Sequence, residues 1–124
     1  MLLTLIPLGT SATGSRPHRI SGIYSSLAYS SEAGDLTGME LEVFPGPGDQ
    51  LNWRALFQLA EGGGPASALV ELRPVGDHYD FSLPTGGGGP EIRFSVRFND
   101  REAVVENVVG KRQEHLRRGR SYWE

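Results

Sequence analysis

Three carboxylates, Glu32, Asp35 and Glu40, stand close together in a stretch that also holds Gly34 and Gly38. Oxygen ligands on a loop and a strand start suit a hard cation such as Ca²⁺. Paired carboxylates can also divide the acid and base work of a hydrolase. The spacing is not that of an EF-hand loop. The same residues fit an exposed hairpin connection, in which Gly34 and Asp35 supply the turn and Glu40 points outward from the next strand. The hairpin is the leading reading. A carboxylate- or metal-dependent hydrolase centred on Glu32, Asp35 and Glu40 is the alternative.

Other chemistry is sparser. His18, His78 and His115 share no ligand spacing. In Asp77-His78-Tyr79-Asp80 two carboxylates flank an imidazole, but the segment reads first as a turn and strand start after Gly76. No serine sits in a G-x-S-x-G elbow. The runs Gly62 to Gly64 and Gly86 to Gly89 lack the Lys-Ser/Thr of a phosphate loop and read as hairpin tips. The chain has no cysteine, which excludes a disulfide scaffold, a cysteine zinc site and a thiol nucleophile. No cofactor is implied.

The elements that must position these residues read as strands. Seventeen Gly and eight Pro leave little room for long helices. Between the Gly and Pro clusters, apolar residues alternate with polar ones. Met39, Leu41 and Val43 share one parity, as do Trp53, Ala55, Phe57 and Leu59. Ala68, Val70 and Leu72 follow, then Tyr79, Phe81 and Leu83, then Ile92, Phe94, Val96 and Phe98. Period-two patterns at short spacing predict antiparallel strands with one wet face. After Phe98 two readings stand. Asn99 with Glu102 fits a helix capping box, whereas Val104, Val105, Val108 and Val109 favour one or two closing strands, the preferred reading.

A chain of 124 residues is one domain by size. A sheet of about seven or eight strands at this length must deal with its edges, and closure removes them. The expected fold is therefore all-β: a small antiparallel up-and-down barrel, or a barrel-like sandwich, over residues 20–124. Tyr24, Trp53 and Phe57 fall where side chains would fill that barrel or line a cavity for a small apolar ligand.

Residues 1–19 form a separate segment. Met1 to Leu8 reads MLLTLIPL, too short to span a bilayer. It fits the apolar part of an export signal, or a strand that pairs with a second copy to give a homo-oligomer. Gly9 to His18 reads as a flexible link. The export reading favours the periplasm or the exterior over the cytoplasm.

The charge is −3, and it is uneven. No Lys or Arg lies between Arg19 and Arg54, while Lys111, Arg112, Arg117, Arg118 and Arg120 crowd the end. This distribution is unsuited to nucleic acid, which wants a broad positive field. It predicts instead a carboxylate–guanidinium contact between Glu32 to Glu42 and Arg112 to Arg120, made when the first and last strands meet.

Ile20-Ser21-Gly22-Ile23-Tyr24-Ser25-Ser26-Leu27, Glu32-x-Gly34-Asp35-Leu36-x-Gly38-x-Glu40, Ala60-Glu61-Gly62 and Arg118-Gly119-Arg120-Ser121-Tyr122-Trp123 resemble a loose set of small bacterial proteins of unknown function. The resemblance implies a lipocalin-like or related small barrel and export. It implies no catalytic residue. Its aromatic ending reads as a plug for a barrel mouth or a fastening for the last strand. The functional expectation is a non-enzymatic binding module for a small apolar ligand or a protein partner.

Overall fold

The structure, a computed structural model, describes residues 20–46, 52–61, 65–84 and 89–124. The Met1 to Leu8 segment, the link after it and the tips Gly62 to Gly64 and Gly86 to Gly88 lie outside the described residues.

Among the described residues there are nine strands: β1 (Gly22–Ser25), β2 (Ala28–Ser30), β3 (Asp35–Pro45), β4 (Trp53–Glu61), β5 (Pro65–Val75), β6 (His78–Leu83), β7 (Ile92–Phe98), β8 (Glu102–Asn107) and β9 (Gln113–Arg118). From β3 to β9 each strand pairs antiparallel with the next. β1 pairs with both β9 and β3, which closes an eight-stranded up-and-down barrel, and β2 extends the β3 edge. Among the described residues no helix is long and apolar enough to cross a membrane.

β1 and β2 are one strand with a break. Gly22 faces Val43 and Ala28 faces Thr37, so both segments keep a single register on β3. At the break, Ser26 N still donates to the Met39 carbonyl at 2.8 Å. The Ser26 hydroxyl oxygen accepts from Met39 N at 3.1 Å, standing in for a backbone carbonyl. Gly38 makes the approach feasible. Its φ is 105°, and a Cβ there would lie 2.4 Å from the Ser26 carbonyl oxygen.

The apolar parities point inward as the alternation requires. Tyr24, Leu41, Phe57, Leu72, Phe81, Phe94, Val96, Val105 and Leu116 are fully buried. Phe57, Phe81 and Phe94 meet at ring centroid distances of 4.9 to 5.2 Å and form the middle layer. Such ring pairs add about 0.5–1.5 kcal/mol each beyond their burial.

The segment after Phe98 is strand, as the valines favour. Asn99 does what the capping signature foretold, but in a turn. Its Oδ1 accepts from Arg101 N and Glu102 N at 2.8 and 3.0 Å and turns β7 into β8. Asn107 repeats the device, accepting from Val109 N and Gly110 N before Lys111 takes a left-handed φ of 58°. The β6 hairpin uses Gly76, at φ 60°, in the first central place of a two-residue turn, where a type II′ hairpin calls for glycine.

Candidate functional site: the barrel mouth

The barrel's two ends differ. At one end aromatic rings close the interior. Phe98 packs on Tyr24 and Tyr79 at 5.2 and 5.7 Å. The Arg118 guanidinium lies 5.5 Å above the Tyr24 ring and donates to the Ser21 carbonyl at 2.6 Å. Tyr24 Oη donates to the Ile20 carbonyl at 2.9 Å. Burial pushes the Tyr24 phenol above its ordinary pKa, against a smaller opposing pull from Arg118, and burial also raises that of Tyr79.

The other end is a cavity of about 560 Å³. It lies where β3, β7 and β9 begin and β4 and β8 end. Phe94 belongs to the packed layer below, and Met39, Leu59 and Ile92 form the apolar wall. Asn107, Gln113 and Glu114 supply polar groups, and the exposed Arg112 stands at the rim. Glu114 shares the inward parity of the buried Leu116, and its Oε2 accepts from the Ser26 hydroxyl at 2.7 Å. An eight-stranded barrel has an interior of the width that side chains fill or that one small ligand occupies. Here side chains fill the interior below Phe94, and above it the interior is open.

The residues expected to line a ligand cavity are placed differently. Tyr24, Trp53 and Phe57 do point into the barrel, but all three are buried in its packed core and none lines the mouth. The mouth residues carry a weaker sequence signal. Glu114 and Asn107 are polar residues on inward parities, and that reading depends on first knowing that 99–118 is strand.

Glu32, Asp35 and Glu40 are not grouped in space as a metal-holding set. Glu32 is exposed in the turn that Gly34 closes by donating to the Ser30 carbonyl at 2.7 Å, and Asp35 opens β3. Glu40 points outward on β3 yet is 6% exposed, because the C-terminal tail covers it. Ser121 Oγ donates to its Oε2 at 2.6 Å and Tyr122 N to its Oε1 at 2.8 Å. Trp123 Nε1 donates to Gln58 Oε1 at 2.6 Å, and Gln58 is the cross-strand partner of Glu40. The aromatic ending therefore does not plug a barrel mouth; it straps the outer wall. Among the described residues no three His, Asp or Glu side chains are grouped to hold a metal ion.

The expected carboxylate–guanidinium contact between Glu32 to Glu42 and Arg112 to Arg120 is not found among the described residues. β1 and β9 do pair at the seam, through Arg117 with Ser25 and Arg118 with Tyr24. The carboxylate Glu40 is met by a hydroxyl and an amide, and no ion pair among the described residues joins the two segments. Arg118 is instead drawn inward to Tyr24 and Ser21, where a planar cation serves both a ring face and a carbonyl. Arg101 and Arg117 border a shallow outer depression in which His115 Nδ1 lies 3.0 Å from Glu102 Oε1. On the β6 hairpin, His78 lies 3.2 Å from both Asp77 and Asp80. Asp77 is held below the usual carboxylate pKa by its hydrogen bond with His78 and then by Arg97.

Fold and site together define a small closed antiparallel barrel, packed below and open above. Comparisons with protein-family models, with curated proteins and with solved structures return no match.

Proposed function

We propose that this protein is a lipocalin-like, non-enzymatic binding module of a small bacterial barrel type, which takes a small, largely apolar ligand in its mouth. The observation that carries the reading is the cavity of about 560 Å³ walled by Met39, Leu59 and Ile92. That volume is in the range of small-molecule sites, and an apolar wall with a few polar groups is their usual composition. Two of the four segments that carry the resemblance, around Glu40 and around Ser121, touch each other, which supports a shared structural purpose for them.

The alternative, a hydrolase working through Glu32, Asp35 and Glu40, has less support. Both oxygens of Glu40 already accept hydrogen bonds from the tail, which covers the carboxylate.

The test is binding of the neutral apolar dye N-phenyl-1-naphthylamine, followed by its fluorescence. Saturable binding is expected, and Leu59→Trp, which fills the mouth, should abolish it without a large change in melting temperature. A dye that does not bind, or binds equally to the filled variant, would remove the mouth as the site.

A further inference from the structure

The mouth is not uniformly apolar: beside Asn107, whose Oδ1 is taken up by the Val109 and Gly110 amides, it holds the carboxylate of Glu114. Glu114 is half-buried on the inner face of β9, close to the level of the Phe94 layer. Its orientation is set by a chain of bonds. The β1–β2 break holds Ser26 against Met39, and the Ser26 hydroxyl spends its single proton on Glu114 Oε2 at 2.7 Å. Glu114 lines the cavity, and among the described residues Oε2 is the carboxylate oxygen with a hydrogen bond, from Ser26. A carboxylate partly withdrawn from water attracts a cation more strongly than one on the surface. Among the described residues that line the cavity Arg112 is the one cation, and it is exposed at the rim, where solvent and salt screen it.

We infer that the ligand class is a small cationic amphiphile: an alkyl or aryl ammonium compound whose ammonium donates to Glu114 and whose apolar part lies against Met39, Leu59 and Ile92. This rests on the mouth being the binding site. A carboxylated amphiphile of the same length would have to place its anion beside Glu114 or leave it at the rim with Arg112. An alcohol keeps the apolar contact and loses the charge.

The experiment is competition against bound N-phenyl-1-naphthylamine near neutral pH by octylammonium, octanol and octanoate, each below its aggregation limit. Octylammonium should displace the dye at a concentration about ten-fold lower than octanol, the size of effect expected for one charge-assisted hydrogen bond, and octanoate should be the weakest. Glu114→Gln should reduce the octylammonium preference over octanol to about two-fold or less. The wild-type series stands by itself if that variant folds poorly. Octanoate binding best, with Arg112→Ala removing its advantage, would overturn the inference in favour of the rim cation while leaving the mouth as the site. Dye that never binds would overturn both.

Discussion

Glu40 on β3 and Ser121 in the tail, 81 positions apart, are joined by a 2.6 Å hydrogen bond on the outside of the barrel. The neighbouring amide of Tyr122 takes the other carboxylate oxygen. A carboxylate this well covered is costly unless it is hydrogen-bonded, and both bonds come from a segment of no regular structure. The tail thus settles a polar group that the strand by itself would leave to water. In return, the carboxylate fixes the chain just after the closing strand, beside the short β1–β9 seam.

Ser121→Ala removes one of the two bonds, each a hydrogen bond to a charged group worth about 1.5–3 kcal/mol. The tail should undock more often, so exchange of the Tyr122 amide hydrogen should speed up roughly ten- to hundred-fold. The barrel should stay folded. In a Trp53→Phe background, quenching of Trp123 by acrylamide should rise in parallel. Unchanged exchange at Tyr122 would mean that the strap is held by something other than Glu40.

Phe94 is the floor of the mouth and the partner of Phe57 and Phe81. Phe94→Ala should destabilise the protein by about 3–5 kcal/mol, because the packed layer beneath the cavity collapses only in part. Urea unfolding followed by far-ultraviolet circular dichroism measures it. A loss below about 1 kcal/mol would show that the cavity already extends through that layer.

Two glycines with positive φ should respond differently to alanine. At Gly34, φ is 72° and nothing lies within 4 Å of an added Cβ, so Gly34→Ala should cost about 1–2 kcal/mol, from the backbone alone. At Gly38 the same change drives a methyl into the Ser26 carbonyl and should be much more destabilising. It should also dislodge Ser26 and so weaken binding in the mouth. Equal melting temperatures for the two variants would contradict the close approach.

Two phenols, the buried Tyr24 and the half-buried Tyr79, set an alkaline limit. Burial raises the pKa of Tyr24 and Tyr79 in the folded state, so both are favoured neutral there. Their contribution is complete below the unfolded-state value of about 10 and is lost as pH rises through the folded values. The melting temperature should therefore fall as pH is raised above about 10. Tyr24→Phe should start lower, having lost the bond to the Ile20 carbonyl, and should fall less steeply. An identical slope in wild type and variant would assign the alkaline loss elsewhere.

The strands and their inward faces could be read from the sequence because alternation is a local property. Leu41 and Val43, Trp53 and Phe57, and Phe94 and Val96 each declare a buried side within a few residues. The need to cover the sheet's edges is also legible there, although a closed barrel and a barrel-like sandwich both meet it. The region around Asn99 was harder, because an asparagine that caps a helix and one that caps a turn present the same side-chain acceptor to the next amides.

The pairings between residues far apart in the chain, by contrast, emerge only on folding. Nothing near Glu40 says that Ser121 will cover it, and nothing near Ser26 says that it will orient Glu114, 88 positions later. Arg118 carries a charge that pointed towards the acidic segment, yet its guanidinium lies on the Tyr24 ring face and donates to the Ser21 carbonyl. The division between a filled lower barrel and an open mouth is of the same kind. Tyr24, Trp53 and Phe57 have the inward parity of lining residues, but how far a ring reaches across a closed barrel depends on what stands opposite. That is fixed by strand register and closure, which exist only once the whole chain has folded.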